Sequence, residues 1–397
     1  RRQRQMCIRD RLDTAKFRDT LSQLDLSATS EQFSAVMRPQ VMPVLIRLLY
    51  GLMISRRGVR TSGAGQHARR TAILSALYES RVEELQLLVD LMLGAFVDQV
   101  VTQPFVLPPP PEAPMRKQLG LLQMLGEVLR HLGRALQPCM HRLVGVVVSL
   151  AAHAADATDE QAREVRRAAL RRLADFVRYG QGTNWTEFRD VILTRLVHPR
   201  LATFAQDSVQ APSAFLELCR TWISESDTLI CFLSDTSILP AVYAGLSSTS
   251  IKPPVAQTIL DMAERLLSVA EAEGEEAKAI RDQVVLPMVP ALLEHLQPLV
   301  RHTIRTEFTH PLALHVRDDL LRQELSVLSQ LAPHIATQAA AAKVVELLVP
   351  LMRHSARAIP ERTKTELLRT FSLLLPRAGT SGAFLDDLYG LFCRLGS

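Results

Sequence analysis

The stretch Arg38–Gly51 reads RPQVMPVLIRLLYG and introduces a pattern that returns along the whole chain. Pro43 stands early in it, and proline is tolerated in the first turn of a helix because its missing N–H would have no partner there. The residues that follow at helical spacing are apolar: Val44, Leu45, Leu48 and Leu49. The stretch therefore predicts a helix over residues 39–54 with this apolar stripe on one face.

The same signature, a proline followed by apolar residues, recurs downstream. It is found at 136–147, 239–246, 289–296 and 349–352. The intervals are near one or two periods of roughly 40–50 residues, which is the length of HEAT and armadillo helix pairs. A chain of 397 residues is also long for one compact core, whereas stacked repeats need to contact only their neighbours. We therefore predict an all-α fold, a HEAT/armadillo-like α-solenoid of about eight helical hairpins.

The composition supports a helical protein of the cell interior. Hydrophobic residues make up 47% of the chain and aromatic residues only 5%, with Leu, Ala and Val dominant, which favours helix over sheet. The five cysteines are widely spaced and form no CxxC pair, so they indicate reduced thiols rather than a disulfide framework. Because we find no apolar run of about 18 residues and no signal peptide, we expect no membrane association.

Further helices are predicted over residues 12–26, 69–79, 81–99, 115–152 (broken at Pro138) and 160–179. Two non-helical segments are predicted between them. Residues 55–70, SRRGVRTSGAGQHARR, hold three glycines, five arginines and no acid, which predicts a flexible basic loop. Residues 104–114, PFVLPPPPEAP, predict a stiff proline-rich linker. Residues 1–11 resemble nothing that follows, and we interpret them as a disordered or non-native tail on a continuous solenoid over 12–397. We expect the chain to be a fragment of a longer protein.

The motifs argue against an enzyme. Residues 58–65, GVRTSGAG, have the spacing of a phosphate-binding loop, but Ala64 and Gly65 stand where Lys and Ser/Thr are needed. The histidines lack the spacing of a metal site, and no serine or cysteine stands in a nucleophile motif. We therefore predict no catalytic residue, no cofactor, no metal and no small-molecule substrate.

Arginines mark two candidate binding segments. In residues 163–178, REVRRAALRRLADFVR, four arginines fall within roughly 80° of one another on the helical wheel, away from an apolar face. This ridge is either a solvated face or a surface that contacts phosphates, and the loop at 55–70 is either an RNA-contacting loop or a disordered insertion. The candidate RNA- or partner-binding residues are Arg56, Arg57, Arg60, Arg69, Arg70, Arg163, Arg167, Arg171 and Arg178.

An ordered series of blocks resembles one known family. The blocks are residues 39–51, the Arg/Gly/Ser loop that follows, 83–91, 116–122, 165–176, 212–222 and 246–261. Their succession resembles the DRIM (down-regulated in metastasis) family, a giant HEAT-repeat component of the small-subunit processome. Two features depart from the family: arginine replaces most lysine in the loop, and a proline run stands at 108–111.

The resemblance implies a nucleolar scaffold without catalytic residues. Such proteins associate with the small nucleolar ribonucleoprotein that guides early pre-rRNA cleavage, and they are needed for maturation of the small-subunit (18S) rRNA. On this basis we predict a ribosome-biogenesis scaffold in the nucleus and nucleolus. Its expected partners are pre-rRNA and/or a small nucleolar RNP, and other processome proteins. The alternative is a HEAT-repeat adaptor in transport or signalling that binds proteins without contacting RNA.

Overall fold

The structure, a computed structural model, confirms the predicted fold class. It describes residues 38–54, 63–78, 80–96, 98–155, 159–180, 182–204, 211–248, 251–308, 318–353 and 360–379, together with 389, 390 and 393. Over these residues the chain is an all-α solenoid in which helices pack against helices, and no strand occurs among them. The tail at 1–11 and the helix predicted over 12–26 lie outside the described residues. The chain divides into two compact units, Arg1–Leu196 and Val197–Ser397.

Unit 1 arranges its helices in two layers. Helices α2, α4 and α6 pack side by side in one layer, α1 packs on α3 in the other, and α5 packs on α6. A 3-10 segment, Gly133–Cys139, separates α4 from α5 at the predicted break. The helices are α1 Arg38–Ile54, α2 Gly63–Leu77, α3 Val82–Leu93, α4 Met115–Leu132, α5 Met140–Ala155, α6 Glu160–Tyr179 and α7 Thr186–Val191.

Unit 2 has the same kind of arrangement. Helices α12, α15 and α17 follow one another in one layer, and α11, α14 and α16 in the other. Its helices are α8 His198–Leu201, α9 Ala214–Trp222, α10 Ser226–Leu233, α11 Ile238–Ala244, α12 Pro253–Glu271, α13 Glu275–Ile280, α14 Leu286–Phe308, α15 Asp318–Leu331, α16 Gln338–Arg353 and α17 Glu361–Ala378.

The buried face of α1 differs from the predicted stripe. The core side chains of this helix are Met42, Ile46, Leu49 and Met53, whereas Val44 and Leu48 are 64% and 61% exposed. The helix begins at Arg38, so Pro43 lies inside it rather than in its first turn. Because α1 is apolar on more than one face, helical spacing alone offers two faces for the core, and packing on α3 selects the second.

The loop predicted over residues 55–70 is wrong for its second half. Helix α2 begins at Gly63, so Arg69 and Arg70 lie on a helix. Its buried residues Ile73, Leu74 and Leu77 pack into the core, and this packing sustains a helix whose first turn is poor in helix formers. Residues 55–62 lie outside the described residues.

The proline-rich segment at 104–114 contains no helix, as predicted, but it is packed onto unit 1. Phe105 is 8% exposed, and its ring lies 4.8 Å from that of Phe188. The backbone oxygens of Pro108 and Pro109 accept hydrogen bonds from the side chains of His153 and Gln99, at 2.8 and 2.9 Å. The segment is therefore part of the folded unit rather than a free spacer.

Among the described helices, the stretch 115–155 is both long and apolar. By length and hydropathy it would be long enough to cross a membrane, but 72% of its most apolar window is buried inside the protein. Its apolar side chains, among them Leu125, Leu129, Val144 and Val147, form the core of unit 1. They are therefore already used in packing α4 and α5 against their neighbours.

Candidate nucleic-acid interface

The arginine ridge lies on the exposed face of α6. Arg163 and Arg167 are 48% and 60% exposed, and Arg171 and Arg178 are also exposed. The opposite face is buried at Val165, Ala169, Leu173 and Phe176, each at most 1% exposed. The separation of core and basic face that the sequence predicts is therefore present in the structure.

The two halves of this ridge differ in charge balance. At the N-terminal end, the carboxylate of Glu160 lies 3.1 Å from Arg163 and 3.9 Å from Arg167, so one acid partly neutralises both guanidinium groups. Asp159 caps the same end by accepting a hydrogen bond from the backbone N–H of Ala162. The stronger positive charge is consequently found towards the C-terminal end of α6.

Another arginine of α6, Arg172, lies between this end of the helix and α4. Its side chain is 17% exposed, and its Nη2 lies 2.9 Å from Asp175 Oδ2 in an ion pair. Burial is the main cause that lowers the pKa of Arg172, and the nearby Arg130 and Arg171 lower it further. Burial also raises the pKa of Asp175, against the opposing effect of Arg172, Arg178 and Arg130. We call Arg130, Arg171, Arg172 and Arg178 the arginine cluster.

Arg130, on α4, is, like Arg172, a member of the cluster that the sequence analysis missed. Its Nε donates to the backbone oxygen of Gly126 one turn earlier, and its positive charge is felt by Arg172 and Asp175 of α6. The sequence signal was the neighbouring RHLGR at 130–134, but nothing in the sequence places this segment beside residues 171–178. Only the packing of α4 against α6 brings these arginines together.

In the same layer, Arg70 of α2 is bound to α1 and α4. Arg70 donates from Nε to the backbone oxygen of Met53 at 3.1 Å and from Nη1 to Glu127 on α4 at 3.3 Å. His67 lies 3.8 Å from the same carboxylate. The 29% exposed Arg70 therefore ties α1, α2 and α4 together and has fewer donors left for a ligand.

His131 of α4 lies between the two groups of basic residues. Its pKa is lowered, first by burial and then by the positive charges of Arg130 and His67. The side chains of α2, α4 and α6 thus form one basic band across a layer of unit 1, which consists of His67, Arg69, Arg70, His131 and the arginine cluster. Arg69 and Arg70 of the 55–70 segment and the ridge at 163–178 are about a hundred residues apart in sequence. Both lie on helices that pack against α4.

The remaining candidate residues do not add to this surface. Arg56, Arg57 and Arg60 lie outside the described residues. Within the described part of the chain, no group of three or more histidine, cysteine or acidic side chains could hold a metal ion. Cys139 and Cys219 are buried, and burial raises the pKa of both thiols, which disfavours the reactive thiolate.

Comparison with known proteins gives a consistent result. The family model described as "U3 small nucleolar RNA-associated protein 20, N-terminal" matches residues 5–397. The chain is also 26% identical, over 395 residues, to U3 small nucleolar RNA-associated protein 20 of Schizosaccharomyces pombe. That alignment covers 93% of this chain but 15% of the relative, so the chain spans a small part of the length of the protein it matches.

Proposed function

The chain belongs to the family of U3 small nucleolar RNA-associated protein 20, and from this premise we propose that it is a non-enzymatic scaffold in ribosome biogenesis. The family predicted from the ordered sequence blocks is thereby confirmed, as is the expectation of a fragment of a larger protein. The proposed setting is the small-subunit processome in the nucleolus. There the protein would support pre-rRNA processing and maturation of the small-subunit rRNA.

The observation that carries this proposal is the basic band of unit 1. It presents exposed guanidinium groups from two neighbouring helices, α4 and α6, on a layer that also carries the basic side chains of α2. Arginine binds phosphate groups with two parallel hydrogen bonds, and contacts to the backbone of RNA fix position without reading sequence. We therefore propose that the band contacts the sugar–phosphate backbone of pre-rRNA or of a small nucleolar RNA.

A second function, protein binding without RNA, is favoured by one specific observation. Helix α1 exposes Val41, Val44 and Leu48 along one side, together with Ile54 at its end. Apolar residues exposed as a group mark contact surfaces more often than scattered ones do. This surface suits the adaptor alternative and is also compatible with a scaffold that holds other processome proteins.

RNA binding by the chain itself tests the proposal. A labelled fragment of pre-rRNA is titrated with the 397-residue chain at several salt concentrations, followed by fluorescence anisotropy. Because phosphate contacts release counterions, affinity should fall steeply as salt rises. Replacement of Arg163, Arg167, Arg171 and Arg178 by Glu should lower the affinity and leave the circular dichroism unchanged. Equal affinities of the folded variant and the wild type would contradict the proposal for this surface.

In cells, crosslinking and sequencing of RNA bound to the full-length protein tests whether it associates with pre-rRNA. Enrichment of pre-rRNA or of the small nucleolar RNA, with crosslinks in the band, is the expected result. Absence of rRNA precursors from the crosslinked RNA would favour the adaptor function instead.

A further inference from the structure

Two guanidinium groups converge on one glycine of α4. The nearest atom to the position that a Cβ at Gly126 would occupy is Arg172 Nη1, only 1.1 Å away, so the guanidinium fills the space that a side chain would take. Arg130 Nε donates to the backbone oxygen of the same glycine at 2.9 Å. The absence of a side chain at Gly126 thus allows arginines from two helices to lie together at the α4–α6 contact.

At the α4–α6 contact, positively charged side chains outnumber the neighbouring carboxylates. Asp175 is the carboxylate that lies beside Arg172, while Arg130, Arg171 and Arg178 surround the pair closely enough to affect its protonation. Arg172 Nε is buried and has no hydrogen-bond partner among the described residues. Its Nη1 has only a long contact, 3.4 Å, with the backbone oxygen of Leu122. The Arg172 guanidinium is therefore incompletely hydrogen-bonded, and the positive charge around it would favour a further anion beside its exposed part.

We propose that Arg130, Arg171 and Arg172 form a phosphate-binding site between α4 and α6 that holds one phosphodiester group of an RNA backbone. This inference rests on the proposed function and narrows it from the whole band to one place. Arg172 forms an ion pair with Asp175 at the α4–α6 contact, and the exposed Arg130 and Arg171 lie on these two helices. In contrast, the N-terminal half of the ridge has its own acid, Glu160, and contributes less to binding.

Phosphate fits this site better than a protein carboxylate does. A phosphodiester presents its two non-bridging oxygens and its ester oxygens in a tetrahedral arrangement, so it can accept from guanidinium groups of two helices, whereas a carboxylate offers two oxygens in one plane. A single ordered phosphate between α4 and α6 would also fix the register of an RNA strand on unit 1 without reading its bases.

The test compares two double variants of the chain that remove the same charge. Arg130→Gln with Arg171→Gln weakens the proposed site, while Arg163→Gln with Arg167→Gln, the matched control, weakens the part of the ridge next to Glu160. All four side chains are exposed, so both variants should fold, which circular dichroism checks. Arg172 is left in place because its removal would leave Asp175 without its partner. The probe is a fluorescein-labelled oligouridylate of about 20 nucleotides, long enough to cover several sites of single-strand binding.

We expect the Arg130/Arg171 variant to bind the oligouridylate about ten- to hundredfold more weakly, as for the loss of charge-assisted hydrogen bonds. The plot of log affinity against log salt should also become less steep, by roughly one phosphate contact. The control variant should lose clearly less. Gly126→Ala gives an independent check, because its Cβ must displace the Arg172 guanidinium and should weaken binding while both other arginines remain.

Equal losses in the two double variants, or none in the Arg130/Arg171 variant, would overturn the phosphate site but leave the broader band as the RNA surface. If the wild-type chain does not bind the oligouridylate at low salt, the proposed function is overturned as well. The wild type could instead bind an oligoglutamate, with this binding lost in the Arg130/Arg171 variant. In that case the site binds an acidic protein segment and the phosphate assignment is wrong.

Discussion

Glu324 of α15 should make the stability of unit 2 depend on pH. Its side chain is fully buried, and Thr303 of α14 donates a hydrogen bond to Glu324 Oε1 at 2.7 Å. Glu324 Oε2 has no partner among the described residues. Burial raises the pKa of Glu324 to about 8, with the hydrogen bond from Thr303 acting in the opposite direction. The carboxyl group is therefore neutral in the folded protein at neutral pH.

The sign of the effect follows from the proton that the folded chain retains. An unfolded glutamate ionises near its ordinary pKa of 4.5, whereas the folded chain keeps this proton up to about 8. The stabilising contribution is fully present below pH 4.5 and is lost as the pH rises towards 8. Each pH unit in that window costs up to about 1.4 kcal/mol, so unfolding should become easier by on the order of 3 kcal/mol between pH 5 and pH 8.

Glu324→Gln tests this directly, because the amide has nearly the same shape and no charge to bury. Urea unfolding at pH 5, 6.5 and 8, with hydrogen exchange of the 318–331 peptide to localise the effect, should show a variant that gains stability over the wild type as the pH rises. Glu346→Gln on α16, where the carboxylate is exposed, is the control and should leave the pH dependence unchanged. A parallel pH dependence of the wild type and Glu324→Gln would refute the reasoning.

Further substitutions at three places test the packing of unit 1, with matched controls, by urea unfolding. Gly133→Ala should destabilise it by about 1–3 kcal/mol, because the Cβ would lie 2.5 Å from a backbone oxygen of α6, whereas Gly120→Ala, which meets open space, should be neutral or stabilising by up to about 1 kcal/mol. Arg38→Met should cost roughly 3 kcal/mol, because it leaves Glu84 without the partner that is 2.7 Å away in a buried pair. Adding Glu84→Met should recover most of that loss, and a double variant as unstable as the single one would contradict this account. Leu48→Ala should change the free energy of unfolding by less than about 0.5 kcal/mol, since the side chain is 61% exposed.

The fold could be predicted because its strongest signals are local. Helix α6 repeats its apolar residues at helical spacing over 20 residues, and the break between α4 and α5 is marked by Pro138. The buried face of α1 was not predictable in this way. That helix is apolar on two sides, and the choice between them depends on α3 and on the bond from Arg38 to Glu84, 46 residues away.

The candidate site was predictable only in part, for the same reason. The exposure of Arg167 and Arg171 follows from the period of one helix. The engagement of Arg70 does not, because its partner Glu127 lies 57 residues further along the chain. Arg130 belongs to the site through a helix contact, and a helical wheel of either helix alone cannot show it.

Two glycines on α4 and just after it explain how that contact arises. Gly126 and Gly133 are two helical turns apart and so face the same side, towards α6. At the first the Arg172 guanidinium occupies the place of a side chain, and at the second the backbone oxygen of Tyr179 does, 2.5 Å from where a Cβ would stand. The two close approaches keep the same offset in sequence, so α4 and α6 run parallel with Arg130 beside the end of α6 that carries Arg171 and Arg178. The glycine spacing is therefore the local feature that positions the arginine cluster, and substitutions there should alter RNA binding by moving these side chains without removing any of their charges.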